Sequence, residues 1–167
     1  MGVLSNPAVQ SYNASQRISV SLTFDGTSGK GLDGSTCSLV GAAPSASLCI
    51  VRDIVVYCTS DLVCAAGTLI SLGTLTAARI IAATDATAID QYFYWHTTTP
   101  ATNGGDAIVT PSAARNLPIY YLSPLGGGIA CFPTVHDITG GTLIMTVLYD
   151  AITPGSTLIA AGSAVAI

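Results

Sequence analysis

"RISVSLTFDG", residues 17–26, is the stretch that decides the fold. Its apolar residues alternate with Ser19, Ser21 and Thr23, and Asp25-Gly26 then supplies a turn signal. The four apolar positions are Ile18, Val20, Leu22 and Phe24. Because successive side chains of a β-strand point to opposite faces, this alternation predicts a strand with one apolar face and one hydroxyl face.

A second strand is predicted near the C-terminus in "GGTLIMTVLYD", residues 140–150. One face carries Leu143, Met145, Val147 and Tyr149. Ile144 and Leu148 make the opposite face partly apolar as well. A strand that is apolar on both faces is typical of the middle of a sheet, or of a sheet that packs against a neighbouring subunit.

Further short strands are expected between these two. They are predicted at about 36–40, 46–59, 67–75, 79–84, 90–97, 107–110, 117–123 and 127–135. Turn-forming Gly, Pro, Asp and Asn residues separate them at intervals typical of antiparallel sandwiches and barrels. We therefore predict an all-β fold, an antiparallel β-sandwich that is jelly-roll-like, with at most one short helix within residues 76–90. Residues 17–167 are expected to form a single domain.

The composition supports strands over helices. Only 8% of the residues are charged, against about 25% in average globular chains, and none of the nine acids is Glu. Surface helices need Glu, Lys and Arg, which this chain largely lacks. A net charge of −4 with five cations offers no basic face for phosphates, so we expect no nucleic-acid partner.

The apolar run "LVCAAGTLISLGTLTAA", residues 62–78, has the length of a short membrane span. Gly67, Gly73 and several hydroxyl residues interrupt it, and no basic cluster flanks it. We expect buried or half-buried strand and turn here, and no membrane partner. Because half of the chain is hydrophobic, a monomer would expose large apolar patches, which indicates a homo-oligomer or a component of a larger particle.

Residues for catalysis or metal binding form no recognisable motif. The five cysteines contain no CxxC pair, and His96 and His136 have no second ligand at metal-binding spacing. No GxSxG elbow or P-loop occurs. We therefore expect that the protein is not an enzyme and that it binds neither a cofactor nor a metal ion. Cys58 and Cys64 flank "TSDLV", so either a bond across a tight turn or two buried thiols fits the sequence.

Aromatic residues are concentrated in two segments. Tyr92, Tyr94 and Trp95 lie in "DQYFYWHT", and Tyr120 and Tyr121 lie in "IYYLSP". Aromatic rings beside a polar loop are favoured at protein interfaces and on sugar-binding platforms. We select these five as interface or ligand-platform candidates. Burial of Phe93 and Trp95 in the core of an alternating strand fits the same residues.

Three segments resemble the small all-β virion proteins of tailed bacteriophages. They are "AAGTLISLGT" (65–74), "LPIYYLSPLGGGIAC" (117–131) and "DITGGTLIMTVLYDAITP" (137–154), within a similarity that covers roughly residues 50–155. The resemblance implies a jelly-roll-like head decoration (cement) protein, or another head or tail component, that is commonly a trimer. It implies no catalytic residues. Residues 1–16 would then suit an extended N-terminal arm that contacts a neighbour.

The expected function is therefore a non-enzymatic structural component of a bacteriophage particle, most specifically a capsid decoration protein that bridges capsid subunits. Its expected partners are itself, as a trimer, and the major capsid protein or another virion protein. Synthesis in the host cytoplasm would precede incorporation into the virion. The alternatives are a carbohydrate- or receptor-binding tail or fibre module that uses the aromatic platform, and a polysaccharide-degrading enzyme. That enzyme would need a pair of carboxylates drawn from Asp85, Asp90, Asp106 or Asp137.

Overall fold

The computed structural model describes residues 16–43, 49–74, 79–86, 94–96, 101–102, 108–109, 120–122 and 128–167. The expected N-terminal arm, residues 1–16, lies outside this part of the chain except for Gln16, which begins the first strand. No helix of a length and hydropathy that would cross a membrane is found in the described segments.

Thirteen β-strands are found in these segments, and each long strand follows a predicted one. They are β1 (Gln16–Thr23), β2 (Cys37–Ala43), β3 (Cys49–Cys64), β4 (Leu69–Thr74), β5 (Arg79–Asp85), β6 (Tyr94–His96), β7 (Ala101–Thr102), β8 (Ile108–Val109), β9 (Tyr120–Leu122), β10 (Gly128–Thr134), β11 (Ile138–Ala151), β12 (Thr157–Ala160) and β13 (Val165–Ala166).

The strands form two antiparallel sheets. The large sheet has the order β13-β1-β11-β3-β6-β7-β8, with β9 also paired to β3, and the small sheet has the order β12-β2-β10-β4-β5. A β1-β11-β3-β6 layer packed on a β2-β10-β4-β5 layer has the strand order of a jelly roll, in which two Greek keys interlock. The buried hydrophobic core contains residues of both sheets. The predicted all-β sandwich is confirmed.

Period-two burial is observed in the two strands that the sequence marks most clearly. In β1, Val20 and Leu22 are fully buried, and in β11, Met145 and Val147 are fully buried. The intervening residues are partly or fully exposed. β11 lies between β1 and β3. The strand with two apolar faces is therefore inside the sheet, as predicted.

The strand predicted at residues 79–84 is confirmed, and the alternative of a short helix within residues 76–90 is not found at residues 79–85. Residues 79–85 form strand β5, which pairs antiparallel with β4 and places Ile81 opposite Leu72. Leu72 is fully buried. Pairing along a buried strand favours the extended conformation of "RIIAATD" over any helical preference of its alanines.

β3 is longer than predicted, and this separates Cys58 from Cys64. Cys58 is paired with Leu143 and Cys64 with Ile138, with no turn between them. Six residues of extended chain span about 20 Å, which is far beyond the reach of a disulfide. The proposed bond across a tight turn at "TSDLV" is therefore excluded by this geometry.

The apolar run at residues 62–78 consists of strand and turn where it is described. It ends β3, turns at Ala65–Thr68 with a 3.2 Å hydrogen bond from the Thr68 N–H to the Ala65 carbonyl, and continues into β4. Ile70 and Leu72 of β4 are fully buried. Residues 75–78 lie outside the described segments. The expected buried strand and turn are thus found up to residue 74.

The C-terminal segment contains two strands that the sequence analysis did not anticipate. β12 pairs with β2 at the edge of the small sheet, and β13 pairs with β1 at the edge of the large sheet. The Ala161 N–H donates to Leu39 O at 3.0 Å, and the Ile167 N–H donates to Ser19 O at 3.0 Å. The last residues therefore cross from one sheet to the other and close one side of the sandwich.

Tyr149 connects both sheets through its hydroxyl group. The ring is buried, and the hydroxyl donates to Gln16 Oε1 at 2.8 Å and lies 2.9 Å from Thr157 Oγ1. β1 and β11 belong to the large sheet and β12 to the small sheet. A buried phenol normally finds such partners, because an unpaired hydroxyl in the core is costly.

Val135 occupies a strained position in the β10–β11 turn. Its φ is +83°, and it is the one non-glycine residue with positive φ among those that the structure describes. A β-branched side chain is disfavoured in this left-handed region by about 1–2 kcal/mol. The side chain is 53% exposed, so it contributes little burial in return.

We expect Val135→Asn to raise the free energy of unfolding by about 1 kcal/mol, because Asn tolerates positive φ. Urea denaturation followed by circular dichroism would measure the change. The matched control is Val165→Asn, since Val165 is 63% exposed in β13 and has no positive φ. A Val135→Asn protein no more stable than this control would contradict the strain argument.

Candidate interaction surface

An uncharged band covers the outer face of three central strands in the large sheet. Its members alternate with buried core residues and therefore point away from the core. The band consists of Ser19, Ser21 and Thr23 of β1, Thr142, Ile144 and Thr146 of β11, and Val55 and Tyr57 of β3. None of these side chains carries a charge, and none is fully buried.

The pairing register places the band residues directly beside each other. Ile144 is opposite Ser21 on one side and opposite Tyr57 on the other. Thr146 is opposite Ser19 and Val55 in the same way. Directly opposed residues of antiparallel strands are in side-chain contact range. The band is thus one continuous surface across β1, β11 and β3.

Hydroxyl groups of the band bond to each other. Ser19 Oγ lies 2.9 Å from Thr146 Oγ1, and Thr23 Oγ1 lies 3.1 Å from Thr142 Oγ1. Covering a hydroxyl that already has a protein partner costs less free energy than covering one that depends on water. The polar part of this face can therefore be buried against another protein at a small desolvation cost.

Charged residues border the band at one end of the sheet. Arg17 and Asp53 lie on either side of Leu148 in the register. Beyond them, Arg52 donates to Asp150, with its Nε and Nη2 each 2.5 Å from Asp150 Oδ2. Asp150 is nearly buried, whereas the Arg52 side chain is about half exposed to water. A central apolar and hydroxyl area with charges at its rim is the usual composition of a protein interface.

Other large hydrophobic residues are exposed at the ends and edges of the sandwich. Leu32 lies in the β1–β2 connection, Val63 near the end of β3, and Val135 in the β10–β11 turn. Ile159, Val165 and Ile167 lie on or next to the edge strands β12 and β13. These side chains are in addition to the band.

The aromatic candidates from the sequence lie beside β3. Tyr94 is opposite Tyr57, and Trp95 is opposite the buried Val56. In β9, Tyr120 is opposite Val51 and Tyr121 is opposite Ile50. Tyr92 lies outside the described residues.

The structure therefore brings two aromatic segments that are distant in sequence to the same strand. β6 pairs with residues 55–57 and β9 with residues 49–51, so they occupy successive parts of one edge of β3. Four residues of strand, or about 13 Å, separate the two paired positions Val51 and Val55. Only β6 adjoins the band, through Tyr57 and Val55.

Tyr57 is one of the band residues that the sequence analysis did not single out. It is 37% exposed and stands in the run "IVVYC", which has no polar residue to mark an outer face. The available signal was the period-two spacing of Val55 and Tyr57 against the buried Ile54, Val56 and Cys58. Continuous apolar runs conceal this alternation, because both faces of the strand are apolar.

The histidines and acids do not gather into a metal site in the described segments. His136 is exposed in the β10–β11 turn, and His96 is opposite Val55 in β6. Among the acids proposed for glycoside hydrolysis, Asp137 accepts a 2.7 Å hydrogen bond from the Asp33 N–H, and Asp85 ends β5. Asp90 and Asp106 lie outside the described residues.

Asp25 organises the turn after β1. Its Oδ1 accepts hydrogen bonds from the Thr27 hydroxyl at 2.5 Å and the Thr27 N–H at 3.0 Å, and Lys30 lies 3.4 Å from Oδ2. These contacts, first the Thr27 hydroxyl, hold the pKa of the exposed Asp25 carboxyl below its ordinary value. The Asp25 carboxylate therefore stabilises the turn, an arrangement typical of an Asx turn.

The chain is similar to a solved structure at low sequence identity. No family model matches the chain, and no curated protein matches it. A solved structure described as "Acidic stable capsid structure of Helicobacter pylori bacteriophage KHP30" is similar over 89% of this chain and 94% of that chain, with 13% sequence identity and a TM-score of 0.45. A likeness at this level is too low to transfer a function.

Proposed function

We propose that the chain is a non-enzymatic structural component of a bacteriophage particle, and specifically a capsid decoration protein that bridges capsid subunits as a homotrimer. The sequence resemblance of residues 50–155 to small virion proteins supports the phage role. The observation that carries the assembly role is the uncharged band on the outer face of β1, β11 and β3. The protein would act in the virion after synthesis in the host cytoplasm.

The band is suited to stable association because most of its polar groups are paired within the sheet. Burial of apolar surface contributes about 25 cal/mol per Å², and association costs about 4–15 kcal/mol in lost motion. Burying hydroxyl groups that have no protein partner would reduce the net free energy of association further, because they lose hydrogen bonds to water. The Ser19–Thr146 and Thr23–Thr142 pairs limit this reduction.

A bridging protein needs surfaces for two kinds of contact. The band would serve one, and the exposed residues at the opposite edges and ends, such as Leu32, Val63 and Ile159, are available for the other. Contact between copies makes the trimer, and contact with the major capsid protein or another virion protein attaches it to the shell. A trimer that is attached to neighbouring capsomers in this way opposes their separation, because separation would expose the buried apolar surface to water again.

The proposal is tested first by the mass of the purified protein in solution. Sedimentation equilibrium at micromolar concentration is expected to give three times the chain mass. Tyr57→Lys is expected to raise the dissociation constant by about 100-fold, because a lysine charge buried without a partner costs about 3 kcal/mol. Co-sedimentation with phage heads that lack their decoration protein then tests attachment.

The control variant is Val63→Lys, which adds the same charge at an exposed position of β3 outside the band. It is expected to leave the trimer intact. Circular dichroism would establish that both variants keep the wild-type strand content. A wild-type protein that is monomeric and fails to bind the heads would contradict the decoration role.

A receptor- or carbohydrate-binding tail module is the second candidate. It is favoured by the pairing of the exposed Tyr57 with Tyr94, which places two tyrosines side by side on adjacent strands. Aromatic side chains are the usual stacking surfaces for sugar rings. Binding to a glycan array that is lost in both Tyr57→Ala and Tyr94→Ala would support this candidate over decoration.

A further inference from the structure

Two buried cysteines from different strands of the small sheet lie directly opposite each other. Cys37 begins β2 and Cys131 lies in β10, and the register pairs these two residues. Both are 0% exposed and belong to the hydrophobic core. Directly opposed residues of antiparallel strands are on the same face of the sheet, so both thiols are inside the sandwich.

The spacing of such a pair suits a disulfide. Opposed residues in antiparallel strands have Cα atoms about 4.5–5.5 Å apart, and disulfides join Cα atoms about 4.4–6.8 Å apart. The Cys131 thiol lies above the neighbouring strand, 3.8 Å from the Cys37 carbonyl oxygen. The pairing register therefore places Cys37 and Cys131 within the backbone spacing that disulfides span.

The pKa of the Cys37 thiol is the lower of the two. A hydrogen bond from the Cys131 thiol, with a smaller contribution from Ser35, lowers the pKa of Cys37 to about 7. Ser35 Oγ is 3.8 Å from Cys37 Sγ. The same contact and burial raise the pKa of Cys131, so that thiol keeps its proton. One thiolate beside one thiol is the arrangement that a reactive cysteine and its resolving partner need.

We propose that Cys37 and Cys131 form a redox-active pair that a peroxide converts to a disulfide joining β2 to β10. The Cys37 thiolate attacks one oxygen of hydrogen peroxide, the O–O bond breaks, and a sulfenic acid and hydroxide form. The Cys131 sulfur then attacks the sulfenic acid sulfur and displaces hydroxide, which takes up the Cys131 thiol proton to form water. In sum, two thiols and one peroxide give one disulfide and two waters.

The end of β2 is where exposed backbone comes nearest to Cys37 along the chain. Cys37 is the first residue of that strand, and Thr36 before it is exposed. Strand ends open locally more often than strand centres, and a small uncharged peroxide can enter through such an opening. The pair does not depend on the proposed role in a capsid, because it uses only contacts within one chain.

Treatment of the purified protein with hydrogen peroxide tests this inference. The expected product is lighter by about 2 Da, the mass of two hydrogen atoms, and non-reducing peptide mapping joins the Cys37 peptide to the Cys131 peptide. Because the bond closes a long loop, the Tm is expected to rise by about 10 °C and to return on addition of dithiothreitol.

Serine variants separate this pair from the other thiols. Cys37→Ser and Cys131→Ser should each abolish both the mass change and the Tm shift, whereas Cys58→Ser should retain them. Cys58 of the opposite sheet is the competing partner, since its charge also raises the pKa of the Cys131 thiol. The inference is overturned if mapping finds Cys131 bonded to Cys58, or if both thiols of the pair stay reduced in the wild-type protein. Mapping needs only the wild-type chain, so it decides the matter even if a variant fails to fold.

Discussion

Replacing Gly141 with alanine is expected to lower the free energy of unfolding by about 4 kcal/mol. Gly141 lies in β11 with φ of +101°, a conformation that costs an alanine about 1–2 kcal/mol. An added Cβ would also lie 2.8 Å from Leu62 Cδ2 and 2.9 Å from Leu62 Cα, and would meet the Asp61 carbonyl oxygen. These atoms belong to the paired strand β3, so the backbone itself would have to shift.

Gly67→Ala is the matched control for this prediction. Gly67 has φ of +83°, yet an added Cβ would meet nothing within 4 Å. Only the left-handed conformation then acts against alanine, and a loss of about 1–2 kcal/mol is expected. Urea denaturation curves of the two variants measure the difference. Equal losses would mean that the approach of β3 to Gly141 contributes nothing to the fold.

Leu22→Ala is expected to lower the free energy of unfolding by about 3–4 kcal/mol. Leu22 is fully buried in β1, and the register places it opposite Leu143 in β11. Truncation removes apolar burial and leaves a cavity that a sandwich closed by two sheets cannot easily fill. Thermal and urea unfolding of the variant would measure the loss.

Ile159→Ala provides the comparison for Leu22→Ala. Ile159 is 48% exposed on the edge strand β12, and its truncation should change the stability by less than about 0.5 kcal/mol. A double-mutant cycle with Leu143→Ala would add a second test, because residues in contact do not have additive effects. Strict additivity of the Leu22 and Leu143 truncations would contradict the packing of this pair.

The strand content and the sandwich were predictable because they depend on local alternation. The buried and exposed positions of β1 and β11 follow the period of two in "RISVSLTF" and "GGTLIMTVLYD". The stretch at residues 79–85 was less clear, because alanines favour helix as well as fitting a buried strand. Its pairing with β4 decides the conformation, and no residue within the stretch encodes that partner.

The candidate surface was only partly predictable. The hydroxyl side of β1 and the second apolar face of β11 were visible from the sequence, and they became half of the band. The place of Tyr57 was not, because the run around it is apolar on both faces. Among the aromatic candidates, Tyr94 came next to the band through the pairing of β6 with β3. Tyr120 and Tyr121 pair with β3 farther along, at residues 50 and 51.

The sequence by itself determined that this chain is built of strands, with apolar residues on their inner faces and hydroxyl residues on many outer ones. Only the tertiary structure decided which strands are neighbours. It brought Ser19 to Thr146, Tyr57 to Ile144 and Cys37 to Cys131, residues that lie 87 or more positions apart. The physical reason is that alternation is a property of each strand alone, whereas pairing register depends on how all the buried faces pack together.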